Sequence, residues 1–188
     1  MDKAKALEIV KETLPTKRFQ HTLGVLETAI SLAKKYGGDI KKVELAAIFH
    51  DYAKYRSIEE MKSIVKNEGL DQKLLNYGKE LLHAPVGAYY LSIEIGIWDE
   101  AVLNGIRYHT TGRVNMTLLE KIIYIADYIE PNRKFKGVEE VRELAAKNLD
   151  QALILAIGNT IKFLVTKRQL VFPDTLAAYN DLLLKEEL

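Results

Sequence analysis

Apolar residues recur along this chain at intervals of three and four, and two-residue alternation is scarce. That is the period of helices laid against a core, so the chain reads as all-α. Asp2 to Leu14 is amphipathic and stops near Pro15. A longer stripe from about Arg18 to Tyr36 carries Thr22, Val25, Leu26, Ala29, Ile30 and Ala33, and Gly37 and Gly38 end it. Asp39 stands where an N-cap belongs, ahead of a helix running through Val43, Ala46 and Ala47 to His50. Ser57 with Glu60 has the spacing of a capping box, and Gly69 closes that segment. Thr117 with Glu120 repeats the spacing before a helix that must end near Pro131. Pro85 suits a first helical position, Gly96 a helix end, and Asp99 the cap of a segment reaching His109. Val138 to Asn148, Asp150 to Lys167 and a segment after Pro173 complete a bundle of about nine or ten helices.

With 188 residues the chain fits a single domain large enough to bury a substantial core. No internal repeat, low-complexity tract or linker divides it. The balance of 27 basic and 26 acidic side chains argues against a nucleic-acid surface or an acidic tail, while leaving room for a local basic pocket. The charged, amphipathic start "MDKAKALEIVKETL" has no secretory pattern, and no apolar run is expected to reach the roughly 18 residues of a membrane span. A cytoplasmic, membrane-free protein is the expectation.

The absence of cysteine removes disulfides and thiolate metal sites, so any metal must use imidazole and carboxylate. The four histidines, His21, His50, His83 and His109, fall in four different predicted segments. His109 continues the stripe Val102, Gly105, Ile106, and His50 follows Val43, Ala46 and Ala47 at the same spacing. His21 aligns with Val25 and Ala29, and His83 opens a segment whose small residues Ala84, Gly87 and Ala88 permit close approach. Asp51, about 100° around the helix from His50, can reach the same side of the bundle. Asp127 is embedded in the apolar run Ile122, Ile123, Ile125, Ala126, Ile129, where an unpaired carboxylate would be expensive. A single histidine on such a face is ordinarily a hydrogen-bonded core residue, and an aspartate such as Asp127 an N-cap or an Arg-paired one. It is the convergence of all six that points to a metal site. Nitrogen and oxygen donors without sulfur suit Fe, Mn, Zn, Co or Ni, and six ligands suit two ions bridged by a carboxylate.

Basic residues close in sequence to these ligands are candidates for binding phosphate: Lys54, Arg113 and Arg133, with Arg56 and Arg107 behind them. Thr110 and Thr111 offer hydroxyls to a phosphate or to a helix end. Tyr52, Tyr108 and Tyr128 adjoin ligands, where they can stack on a base or pack in the core.

The pattern His21, His50–Asp51, Asp127 resembles the HD-domain superfamily of metal-dependent phosphohydrolases. His83 and His109 resemble its dinuclear branch. Five stretches, "KRFQHTLGV", "AAIFHDYAKY", "LLHAPVGAYYL", "IRYHTTGR" and "KIIYIADYIEPNR", together resemble the bacterial YqeK family. They cover a motif-bearing core of about residues 18 to 142, with helices from about 145 to 188 contributing little to the likeness.

The resemblance implies a symmetrical diadenosine-tetraphosphate (Ap4A) hydrolase giving two ADP, with Asp51, His50 and Lys54 in catalysis. It implies a two-metal centre, iron first with Mn, Co or Zn as alternatives. In it His21, His50, Asp51 and Asp127 hold one ion, and Asp51, His83 and His109 the other. A homodimer fits the family, although no heptad seam marks one. Three rival readings share the ligand set: an HD hydrolase of another nucleotide or phosphoester, a di-iron oxygenase, and a non-catalytic nucleotide-binding module.

Overall fold

The computed structural model describes residues 1–186 and is built from helices alone among them. Ten α-helices follow in order: α1 Lys3–Thr13, α2 Thr16–Tyr36, α3 Ile40–Phe49, α4 Ile58–Asn67, α5 His83–Ile95, α6 Glu100–Arg107, α7 Leu118–Ile129, α8 Val138–Ala145, α9 Leu149–Thr166 and α10 Pro173–Glu186. The expected caps account for most boundaries. Asp39 and Asp99 each accept two backbone N–H groups at the starts of α3 and α6, and Thr117 with Glu120 forms a complete capping box on α7. The Ser57–Glu60 box is only half made. Ser57 accepts from the Glu60 backbone, but the Glu60 side chain turns instead to Arg56 and the Tyr90 hydroxyl.

Other boundaries differ from expectation. Helix α5 begins two residues before Pro85, at His83, so the proline sits inside the first turn, where its missing N–H still costs no helical bond. Helix α6 ends at Arg107, and His109 stands in the turn beyond. Two short 3₁₀ turns, Gln72–Asn76 and Lys79–Leu81, occupy a polar stretch without helical periodicity. Helix α9 reaches the length and apolarity of a membrane span, with 18 residues at a mean hydropathy of 1.3, contrary to the expectation from the sequence. It packs against α7, α8 and α10.

Helix α7 is central, touching α2, α3, α6, α8 and α9, and Ile122, Ile123, Ile125 and Ala126 are wholly buried in it. Helices α2 and α3 form one wall, and α5 with α6 the other. The core is closed around a group of polar side chains, because His50, Asp51, His83, His109, Glu120 and Glu130 are as buried as the leucines beside them. Buried polar groups of this kind require partners.

Candidate metal centre and its cleft

Each of the five predicted segments delivers its ligand to one place. His21 comes from the second turn of α2, His50 and Asp51 from the end of α3, and His83 from the first residue of α5. His109 comes from the turn after α6 and Asp127 from the last turns of α7. The side chains form two buried triads, His21–His50–Asp51 and Asp51–His83–His109, which share the one carboxylate. Asp51 Oδ2 lies 3.1 Å from His50 Nε2, and its Oδ1 lies 3.1 Å from His83 Nε2. Asp127 Oδ1 completes the first triad at 3.0 Å from His21 Nε2.

For three of the four rings the far side fixes the proton. His50 Nδ1 lies 2.7 Å from the Ala47 carbonyl, and His109 Nδ1 lies 2.7 Å from that of Ile106. A carbonyl only accepts, so Nδ1–H donates and Nε2 carries a lone pair. His21 Nδ1 donates likewise to Glu130 Oε1 at 3.1 Å. A bare nitrogen is thereby aimed at another in the first triad, where His21 and His50 Nε2 are 3.3 Å apart; in the second, the bare His109 Nε2 lies 3.2 Å from His83 Nε2. Lone pairs and carboxylate oxygens at such distances repel unless a cation lies among them. Donors that share an ion at bond lengths of about 2.1 Å are themselves separated by roughly 3.0–3.4 Å, the spacing found here. The donor set therefore fits a pair of transition-metal ions, with Asp51 as the shared ligand.

Electrostatics hold the two carboxylates and the His109 ring in their metal-binding forms. With no ion present, burial alone would raise the Asp51 pKa, but the protonated form of His50, and then the His83 ring, hold it well below the carboxylate range, a role a bound cation takes over. For Asp127, burial is likewise outweighed in the ion-free cluster, by the His21 ring when its Nε2 is protonated and by Arg133. Burial, then the charges of His83 and His50, pushes His109 down to about 3, which keeps its ring neutral.

Two residues of this arrangement escaped the sequence reading. Arg18, at the start of α2, places Nη1 2.9 Å from Asp51 Oδ2. Its only sequence signal is its position one turn before His21. Glu130, 2% exposed, holds His21 through Oε1 and accepts the Asn132 N–H through Oε2 at 2.7 Å. The signal for Glu130 was a carboxylate wedged between a core isoleucine and Pro131. Gly24 makes room for it, since a Cβ there would come within 2.6 Å of Oε2.

A cleft of about 720 Å³ opens onto the centre, with Asp51, His83, His109 and Asp127 in its wall. Four cations also line it: Arg18, Lys54, Arg133 and Arg168. Arg133 donates to Asp127 Oδ1 at 2.7 Å and to the Asp127 carbonyl at 3.0 Å. Lys54 donates to Glu80 at 2.8 Å, with His83 Nδ1 3.5 Å away. Arg168 ends α9 in the left-handed region, at φ 53°, where glycine would be cheaper. Phe163, Leu170, Tyr77 and Phe172 give the outer cleft an apolar, aromatic side.

The remaining candidates are distributed differently. Thr110 lines the cleft, and its hydroxyl is buried without a hydrogen-bond partner. Thr111 is buried, donates to the Gly112 carbonyl and faces an adjoining cavity. Arg113 is not brought to the cleft: its guanidinium is held by buried Glu120, at 2.7 and 3.1 Å, and lies over the Tyr108 ring. Arg56 pairs with Glu94 and Glu60, and Arg107 with Asn104. Among the tyrosines, Tyr52 donates to Glu94, Tyr128 packs on Phe135, and Tyr108 faces the adjoining cavity.

Fold and site define a helical hydrolase scaffold with a buried His/Asp metal centre, and the sequence comparison gives that class a family. A sequence model described as the HD domain matches residues 18–132, and the chain belongs to that family. Among its relatives, it is 58% identical to the symmetrical bis(5′-nucleosyl)-tetraphosphatase of Halalkalibacterium halodurans over 187 residues, covering all of both chains. It is 57% identical to the protein of the same name from Bacillus subtilis, covering 96% of this chain and 97% of that one. A crystal structure of a predicted HD superfamily hydrolase involved in NAD metabolism, from Clostridium acetobutylicum, superposes with a TM-score of 0.92 at 44% identity, covering 98% of each chain.

Proposed function

We propose that this chain hydrolyses Ap4A symmetrically, at the bridge between the two central phosphates, to two ADP. The observation that carries the reading is the pair of buried triads sharing Asp51, set in the wall of a cleft lined by four cations. Full-length likeness to enzymes named for this reaction supports the substrate.

When bound, two transition-metal ions would supply the Lewis acidity that acidifies a water and draws charge from phosphoryl oxygens. Iron is the metal the family resemblance favours, with Mn, Co and Zn as alternatives. The chain's own residues do the rest. Ala47, Ile106 and Glu130 keep the ring protons on Nδ1, so three Nε2 atoms stay available as ligands. Arg133 fixes the orientation of Asp127. Arg18, Lys54 and Arg168 meet the polyphosphate, with the Thr110 hydroxyl free to donate to a phosphate oxygen. Water adds to one central phosphorus as the bond from that phosphorus to the bridging oxygen breaks. The second ADP leaves with that oxygen, and two protons are released near neutral pH. The cationic wall offsets the charge that grows on the departing phosphate. Such a substrate sets the work in the cytoplasm, with no nucleic acid or membrane as partner, and a homodimer remains compatible with it.

Hydrolysis of Ap4A with added Fe, Mn, Co or Zn, followed by chromatography of the products, tests the reading. ADP as sole nucleotide product is expected. AMP with ATP, or no turnover with any metal, overturns it.

A further inference from the structure

An enzyme that cuts the midpoint of a symmetrical dinucleotide needs two equal arms of substrate, one on each side of its reacting centre. The cleft on the metal side provides one aromatic, apolar end. A second cavity, of about 390 Å³, adjoins it and shares Leu81, Thr110 and Phe172 as common wall. That volume is within the range of small-ligand pockets. Thr110 follows His109 directly, so the boundary between the two cavities lies next to a metal ligand.

The lining differs in chemistry from that of the cleft. Leu70, Leu74 and Pro85 provide apolar contact, Tyr108 an aromatic ring, and Asp71 and Asp174 two carboxylates. Asp71 already accepts the Lys73 N–H at 2.9 Å. Asp174 is half-buried, and burial together with the neighbouring Asp71 raises its pKa. Carboxylates repel a phosphate chain but accept hydrogen bonds from ribose hydroxyls and from an exocyclic amine. Arg107 adds a planar cation able to stack on a purine. The buried Thr110 hydroxyl, unpartnered, sits where a chain passing from one cavity to the other would need a donor.

We infer that the cavity between the 3₁₀ turn Gln72–Asn76, the turn after α6 and the start of α10 is a second nucleoside subsite. It holds the adenosine of the departing ADP while the cleft holds the other half. The inference rests on the Ap4A reading above.

Two variants test it: Asp174→Asn, which removes a charge without changing shape, and Leu74→Trp, which fills the cavity. Ap4A is compared with adenosine 5′-tetraphosphate, which has the same phosphate chain and one nucleoside. The wild type is expected to prefer Ap4A in kcat/KM, and that preference should shrink at least tenfold in Leu74→Trp and severalfold in Asp174→Asn, through KM. Calorimetry with ADP should count two molecules per wild-type chain and one per Leu74→Trp chain. An unchanged preference, even if both rates fall together, overturns the subsite, as does one ADP per wild-type chain. Wild-type protein that leaves Ap4A intact would overturn the functional reading itself, and the subsite with it.

Discussion

Glu130 touches no substrate, yet the geometry makes it decisive for His21. Its two oxygens have fixed tasks: Oε1 accepts the His21 Nδ1 proton at 3.1 Å and Oε2 accepts the Asn132 N–H at 2.7 Å. Glu130→Gln keeps the shape but has one acceptor and one donor. If the amide oxygen faces His21, the amide nitrogen meets the Asn132 N–H. If it faces Asn132, the nitrogen meets His21 Nδ1 and drives the ring proton to Nε2, the ligand atom. Either orientation loses one charge-assisted bond, worth about 1.5–3 kcal/mol. Converted at about 1.4 kcal/mol per decade, that is roughly ten- to a hundredfold, the usual cost of disturbing a group that orients a metal-bound histidine. Competition against a graded series of chelators, with metal read by emission spectroscopy, measures it without relying on turnover. Gly24→Ala should reproduce the loss, because its Cβ would stand 2.6 Å from Oε2. Metal affinity in Glu130→Gln within twofold of wild type would refute the reasoning.

The shared carboxylate predicts a difference between two other variants. Asp51→Ala should empty both metal positions and cut turnover at least about a hundredfold, whereas His83→Ala should retain about half the metal; equal metal content in the two would contradict a bridging Asp51. Arg113→Ala should leave kcat on Ap4A unchanged while costing on the order of 3 kcal/mol of stability, since it strands Glu120, 1% exposed; thermal melts and kinetics on the same sample separate this from a phosphate-binding role. For chelated protein, the His109 shift from 6.5 to about 3 means that the unfolded chain binds a proton the folded chain refuses, so stability is lost as pH falls through that window. The loss is on the order of 4–5 kcal/mol, reduced by His50, whose pKa is raised because Asp51 outweighs its burial and whose stabilisation is full below 6.5. Circular dichroism melts of metal-free protein between pH 7 and 4 should show the midpoint falling, and a flat profile would count against the burial of His109 as the cause.

The ligands were legible because each is a polar residue where the helical pattern demands an apolar one. Asp127 among isoleucines and His50 after Val43, Ala46 and Ala47 are conflicts that only a functional or tightly paired group resolves. The pairing expected for Asp127 appears in Arg133, and His21 stands beside it where the proposed ligand role needs it. Cations carry no such mark. Arg18 and Arg113 look alike in sequence, since arginine is at home on any surface, and only the crossing of α2 over the end of α3 decides that the first reaches Asp51. Arg113 had a nearer partner in Glu120, seven residues on, made available by the capping box at the start of α7. The second cavity was hidden for a related reason: the 3₁₀ turns that frame it have no hydrophobic period to read.

The cleft also divides the chain into two kinds of responsibility. Every proposed metal ligand lies within residues 18–132, the stretch matched to the HD domain, while Phe163, Arg168, Leu170 and Phe172 come from α9 and the connection to α10. The reacting centre thus comes from one segment, while one wall of the outer cleft is contributed by another. A change at Phe163, Leu170 or Phe172 would reshape that wall while leaving the proposed ligands and Arg133 in place. Exchanged between relatives, the stretch from Phe163 to Phe172 would carry one wall of the cleft with it and leave the six proposed ligands where they are.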